Sequence, residues 1–491
     1  MRRLAATTLS DLKSGVRLPT YDWRRIGIGM AHIGIGAFHR CHQAEFTDDM
    51  LETQGGDWGV VGINLRPPLL GPSLGAQDGL YTRRLRDDSG VDDRRVIGSL
   101  RELVDAQDGA ASAVAALADP RIKAVTLTIT EKGYCHIPAT GALDAAHPDI
   151  VHDLDHPEAP RSAPGVIVAA LDRRRSTGAP GLTLLSCDNI PANGAILHGV
   201  VCDLARARSP GLAQWISDRV AFPSSMVDRI VPATSEADIA EISGALGLSD
   251  PCCVVGEPFR QWVIEDRFAA ARPPWDAVGV EFVADVSGHE LIKMRVLNGA
   301  QSTLCCLGAL CGLDYTFEDV RHPVLERFVR RMLEEETATT LPLVRGMEAQ
   351  AYIDLSLQRL RNSNIRHRNH QIATDGSQKI VQRLLNPLRE RLRAGASIER
   401  LACSVAGFIA YLACGSPRFG ARWTPSDPFA AAIGKIAEET AGDLPALVRR
   451  TLAISAIFGA DLPQAPDVGD RIARHLAGLL SERPIAYLER L

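Results

Sequence analysis

The chain lacks an apolar leader, a membrane-length apolar run, a zinc-type cysteine spacing and an excess of basic charge. Its first residues, MRRLAATTLSDLKSG, carry two arginines but no apolar segment behind them, so no secretory signal is expected. No uninterrupted apolar run reaches membrane-spanning length, and the stretch after Glu290 is interrupted by Lys293, Arg295 and Asn298, so no membrane partner is expected. The cysteines number eleven, an odd count. Cys252-Cys253 and Cys305-Cys306 are adjacent pairs rather than C-x-x-C, so a zinc site is not indicated; free core thiols in a reducing cytoplasm are expected instead. A net charge of -5 gives no reason to expect nucleic acid as a partner, and no feature implies a protein partner. No repeat or low-complexity tract is visible. What is present is ordinary globular composition, 46% hydrophobic and 23% charged over 491 residues, enough for two or three domains with substantial cores.

The first organised unit is RIGIGMAHIGIGAFHRCHQAEFTDDMLETQGGDWGVVGINL. Residues 30–33 suit a short buried strand, Gly34 and Gly36 a turn at its end, 39–51 a helix, and 58–65 a second strand. This is a β-turn-α-β unit in which the glycine turn lets backbone approach a pyrophosphate. The third glycine of G-x-G-x-x-G is missing, with His39 in its place; a plain glycine turn fits the stretch as well. The acid that usually ends the second strand is missing too. There the sequence reads Asn64-Leu65-Arg66-Pro67, and Arg66 suits a 2′-phosphate, so the choice between the two nicotinamide dinucleotides stays open.

Apolar strands and helical stretches alternate onward: 123–130 runs into Glu131, 165–171 begins a helix, and 181–187 runs into Asp188-Asn189 before a helix opened by PANG. Alternation of this kind predicts an open, mostly parallel sheet, with Glu131 and Asn189 just beyond strand ends, where ligands bind in such sheets. Residues 222–232 set Asp228 and Arg229 in an apolar run, and 281–286 reads as a last strand. Beyond Ser287 the pattern is helical, notably at 317–336, 397–413, 429–439 and 470–480. The expected architecture is α/β: a Rossmann-like domain over residues 1–286 with a mostly parallel sheet, then a mostly α-helical domain over 287–491.

Residues 291–313, LIKMRVLNGAQSTLCCLGALCGL, read as one long apolar helix carrying Lys293, Asn298 and Gln301. At about 100° per residue, Lys293, Gln301 and Asn298 fall at roughly 0°, 80° and 140°, on one arc with Met294 and Leu297. Burying a lysine brings it toward the range useful for proton transfer, and an amide beside it can donate to a developing alkoxide. That is the chemistry of a carbonyl/alcohol oxidoreductase. A solvent-facing lysine and helix-joining amides fit the same spacing.

Six segments together resemble one family, the long-chain polyol or mannitol dehydrogenases: GIGAFHRCHQA at 34–44, LTITEKGYC at 127–135, SCDNIPANG at 186–194, FPSSMVDRIVPAT at 222–234, EPFRQWVIEDRF at 257–268 and KMRVLNGAQS at 293–302. The GYC after TEK, the RQWVIED run and RHRNHQIATDGSQKIVQRLLNP at 366–387 look most like the fructuronate reductase branch. The resemblance implies an NAD-dependent, metal-independent secondary-alcohol dehydrogenase interconverting D-fructuronate and D-mannonate, with NADP left open by Arg66. A mannitol or arabinitol 2-dehydrogenase and a non-catalytic dinucleotide-binding homologue are the alternatives. By the same resemblance Lys293 is the general acid/base, Asn298 and Asn189 hold the carbonyl oxygen, Glu131 belongs to the proton path and Asp228 to the substrate side. Gly34, Gly36, Phe38 and Arg40 match the cofactor turn, with Asn189 beside the cofactor. Gln301 stands where the family has a histidine; it can hydrogen-bond substrate but cannot carry a proton. A sugar-acid carboxylate calls for a cation, for which Lys379, Arg368 and Arg366 are candidates, although a solvated basic helix end explains them too.

Overall fold

The structure is a computed structural model that describes residues 1–107, 109–138, 140–480 and 484–491. The chain divides into two compact units, Met1–Ser287 and Gly288–Leu491.

The first unit is built on five strands: β1 (Ile28–Ile33), β2 (Gly59–Asn64), β3 (Leu100–Asp105), β4 (Ala124–Leu127) and β5 (Thr183–Ser186). They lie in the order β3-β2-β1-β4-β5, and every neighbouring pair is parallel. The strands are apolar at successive positions because helices cover both faces. Ala31, Ile33, Val61, Ile63, Val125, Leu127 and Leu184 join one apolar layer, while Met30, Val60, Ala124 and Leu185 join the other, following the two-residue alternation of the pleat. The strand order reverses at β1, between β2 and β4. That switch point is where ligands bind beyond the strand ends.

The helical run expected after the glycine turn is split. Helix α1 (Ala37–Cys41) stops at His42, whose backbone sits at φ -130° and ψ -84°, and α2 (Gln43–Gln54) restarts beyond it. The His42 ring stacks on Phe38 with centroids 5.0 Å apart, and its Nε2 donates to the Gln261 carbonyl at 2.9 Å. Farther on, α3 (Pro148–Asp155) and α4 (Ala163–Ser176) precede β5, and α5 (Asn193–Arg208) follows it. Several strands escaped the sequence pattern. Among them are β3, LRELVD, whose charged alternation marks a sheet edge, the Tyr81–Arg86/Asp92–Ile97 hairpin, rich in arginine and aspartate, and Gln261–Glu265. A further small sheet joins β6 (Ser225–Asp228), β7 (Gln261–Glu265) and β8 (Glu281–Val283).

The second unit is helical around α6 (Ser287–Lys293), α7 (Gly299–Leu310), α8 (Thr316–Arg321), α9 (Glu399–Ala413) and α10 (Val468–Leu479). Every residue of α9 from Arg400 to Ala413 is buried, and α7 and α10 pack against it. The run expected as one helix from 291 to 313 is not uniform: a π-helical turn, Met294–Asn298, separates α6 from α7. Two more π turns occur at Met332–Thr337 and Val381–Leu385.

Asp319, on α8, is wholly buried. Its Oδ1 accepts from Asn369 Nδ2 at 3.1 Å, and its Oδ2 has no partner. It fits only because residue 308 is glycine, where a Cβ would lie 1.9 Å from Oδ1. Burial pushes its carboxyl up to about 8, with the Glu318 charge adding to the rise. The unfolded chain releases this proton near pH 3.9 and the folded chain holds it to about pH 8, so native Asp319 costs stability progressively across that window. Asp319→Asn is therefore expected to melt near wild type at pH 5 and above it at pH 8. The gap should grow by at most about 1.4 kcal/mol per pH unit. Parallel melting profiles across this range would disprove the buried neutral carboxyl.

All eleven cysteines are free thiols, and ten of them are buried. Among the described residues no helix is long and apolar enough to cross a membrane, and no group of three or more His, Cys, Asp or Glu side chains is arranged to hold a metal ion.

Candidate active site

At the switch point β1 ends in Gly34, whose φ of +96° suits glycine. A Cβ there would stand 2.1 Å from the Thr128 carbonyl oxygen, so any side chain would push β1 and β4 apart. Gly36 has nothing within 4 Å of a Cβ position, so the turn presents bare backbone to an adjoining cavity of about 740 Å³. Gly34, Gly36, Arg40, Asn64, Thr128 and Asp149 are among its walls. A side-chain-free turn beside a cavity of this size fits a dinucleotide, with the pyrophosphate against the turn. Of the residues expected at the cofactor, Gly34, Gly36 and Arg40 line this cavity. Phe38 and Asn189 are not among its lining residues; Phe38 packs on His42 instead.

His39, where a third glycine was expected, has a definite place. Its ring stacks on His32 at 3.5 Å between centroids and 19° between planes. His32 is held by Thr126 Oγ1 at 2.6 Å, Thr128 Oγ1 at 2.9 Å and the Gly34 carbonyl at 3.0 Å. Burial drives both imidazoles down, His32 to about 3, so the stack is neutral at physiological pH. The helix-to-strand contact that a third glycine makes by close approach is made here by two stacked rings.

Glu131 opens a 3-10 turn, Glu131–Tyr134, immediately after Thr130, which has a left-handed φ of 62°. The residue that secures this turn is Asp188. Its carboxylate accepts the Ile129 and Thr130 backbone N–H groups, each at 3.0 Å, and the Tyr134 hydroxyl at 2.7 Å. Burial pushes the Asp188 carboxyl up, and these donors oppose the rise. Asp188 thereby ties the half-buried Glu131 to Asn189, its own neighbour, which is exposed. Sequence reading passed over Asp188; the signal was an acid at a strand end facing another strand end in the parallel order. Asp228 is 2% exposed at the end of β6, opposite Gln261.

In the helical unit, Lys293, Asn298 and Gln301 are 4%, 7% and 7% exposed. Residues five apart bond across a π turn, so Lys293 and Asn298 lie nearly above one another instead of the 140° apart that a continuous α-helix gives. Asn298 Nδ2 donates to Gln301 Oε1 at 3.0 Å. Asn298 Oδ1 is buried without a hydrogen-bond partner. Arg295, on the same turn, points elsewhere, to Glu390 at 2.5 Å and the Thr340 carbonyl at 2.6 Å. Each candidate substrate cation has its own setting. Lys379 Nζ donates to the Thr374 carbonyl at 2.6 Å, Arg368 is exposed over the Tyr315 ring at 5.3 Å, and Arg366 is exposed.

Residues 28–277 match the mannitol dehydrogenase Rossmann domain, and residues 285–480 match the mannitol dehydrogenase C-terminal domain. The chain is 42% identical to D-mannonate oxidoreductase of Escherichia coli over 465 residues, 94% of this chain and 95% of that enzyme. It is 35% identical to mannitol 2-dehydrogenase of Phaeosphaeria nodorum over 466 residues, covering 94% of this chain and 80% of that one. The mannitol 2-dehydrogenase of Pseudomonas fluorescens, solved as a ternary complex with NAD and D-mannitol, matches with a TM-score of 0.91 at 35% identity, covering 99% of both chains.

Proposed function

The chain belongs to the mannitol dehydrogenase family, and on that premise we propose that it interconverts D-fructuronate and D-mannonate with NAD(H) as cofactor. The observation that carries the substrate is the higher identity, over nearly the whole chain, to D-mannonate oxidoreductase than to mannitol 2-dehydrogenases. Bound NAD(H) supplies or accepts the hydride. The chain's own residues supply proton handling and orientation. Lys293, held out of bulk water, gives a proton to the substrate oxygen during reduction and takes it back during oxidation. Asn298 offers one amide N–H to Gln301, and that bond leaves its second N–H for the substrate oxygen. Gln301 orients this amide without ionising, which supports activity in the absence of the family's histidine. On the Rossmann unit, Gly34, Gly36 and Arg40 form the cofactor turn, and Glu131, Asn189 and Asp228 keep the roles that the resemblance assigns them. Lys379 and Arg368 are assigned to the substrate carboxylate.

The purified protein, followed by NADH absorbance, is expected to act on D-fructuronate with a kcat/KM at least about tenfold above that for D-fructose, a difference of about 1.4 kcal/mol. A preference for D-fructose would make it a mannitol 2-dehydrogenase. NADH binding with no turnover of any uronate, hexitol or pentitol would make it a non-catalytic homologue.

A further inference from the structure

The acid that Rossmann units place after the second strand, to meet the ribose hydroxyls, is missing from Asn64-Leu65-Arg66. It is present in space. Asp149, on α3, places Oδ2 2.6 Å from the Arg66 guanidinium. Asp149 and Arg66 both line the 740 Å³ cavity, together with the glycine turn, at the level of the second strand's end. Leu65 and Arg66 are also walls of a second cavity of about 360 Å³, so Arg66 borders both cavities while Asp149 borders the larger one.

Asp149 is fixed where it stands. Its backbone N–H donates to the His147 side chain at 3.2 Å, which caps α3. One helical turn on, the buried Asp153 accepts from Arg161 N at 2.6 Å, Ser162 N at 3.0 Å and Ser162 Oγ at 2.5 Å, which bolts α3 to the start of α4. Arg66 is the more exposed partner, with its side chain 65% exposed against 24% for Asp149. The fixed carboxylate therefore does two things at that wall. It occupies the guanidinium that would otherwise grip a phosphate by paired hydrogen bonds, and it sets a negative charge beside the position a 2′-phosphate would take.

We propose that Asp149 is the residue that selects NAD(H) over its 2′-phosphorylated form, by holding Arg66 and repelling the phosphate. The proposal rests on the reading that this cavity binds a nicotinamide dinucleotide. Its test is a binding measurement that needs no turnover. Wild type, Asp149→Asn, Arg66→Met and the double variant are titrated with NADH and with NADPH, using nicotinamide fluorescence, with melting temperatures as a folding check. Wild type should bind NADH at least about tenfold more tightly than NADPH. Asp149→Asn should improve NADPH binding about tenfold relative to NADH binding. Arg66→Met alone should leave the wild-type preference in place, and the double variant should keep only the smaller part of the gain that comes from lifting the repulsion, since the larger part acts through the released guanidinium. An unchanged NADPH affinity relative to NADH in Asp149→Asn, or the same gain in the double variant, overturns the proposal while leaving the cofactor reading intact. A wild type that binds neither dinucleotide overturns both.

Discussion

Lys293→Ala is expected to lower kcat by about 10²–10⁴-fold, the span that a positioned general acid/base contributes, with NADH affinity changed less than about threefold. Lys293 is buried at the last position of α6, where the π turn begins, so its backbone is held by the helix rather than by a loop. Alanine is compatible with the helix but removes packed methylenes. Lys293→Met fills most of that volume and carries no proton, so both variants should lose turnover to the same degree while Met melts closer to wild type. The pH profile supplies a second reading: the ionisation governing wild-type kcat should be missing from the residual activity of both. Turnover of Lys293→Met within about tenfold of wild type would remove lysine from the proton path.

Arg229→Met should destabilise the Rossmann unit by about 3–5 kcal/mol, the usual cost of breaking one side of a buried ion pair. Arg229 is 6% exposed. Its guanidinium pairs with Glu45 of α2 and donates to the carbonyls of Cys41, Glu257 at 3.0 Å, Phe259 at 3.1 Å and Pro258 at 3.2 Å. One side chain thus ties both helices after the glycine turn to the segment leading into β7. Burial alone would raise the Glu45 carboxyl, but Arg229, Arg83 and Arg260 hold it down at about 2. Because the folded value lies below the unfolded value of about 4.3, this stabilisation is complete above pH 4.3 and is lost as the pH falls toward 2. With methionine at 229, Glu45 keeps only Arg83 at 3.1 Å and Arg260 at 3.6 Å, so its carboxyl should protonate at higher pH. Thermal melting between pH 7 and pH 3 should show a lower midpoint at neutrality and an earlier onset of acid loss. A midpoint within 1–2 °C of wild type at pH 7, roughly what a surface substitution produces, would show that the network does not hold the unit together.

Much of the fold was legible in the sequence because apolar periodicity reports burial. β1, β2, β4 and β5 are buried on both faces and appear as short apolar runs, and α9 appears as a long one. The edges were not legible, since β3 and the Tyr81–Ile97 hairpin alternate with charge and their pairing is set by neighbours distant in sequence. The helix after the glycine turn was legible as a run of helix formers but not as two helices. Its break at His42 follows from contacts with Phe38 and Gln261, one of them more than two hundred residues away.

The candidate site divides the same way. Residue types, strand-end positions and the family resemblance singled out Gly34, Gly36, Glu131, Asn189, Lys293 and Asn298 as candidates, because the chemistry restricts which side chains can serve. Sequence alone determined the class of fold and the family. Three things were decided by tertiary structure. The π turn stacks Lys293 and Asn298, which α-helical spacing separates. Asp188 holds the Glu131 turn from another strand. Asp149 stands at the second strand's end from a helix about eighty residues downstream. Each depends on a backbone register or a cross-chain approach, and those are settled by which packing buries the most surface with its polar groups satisfied, a property of the whole unit rather than of any stretch of it.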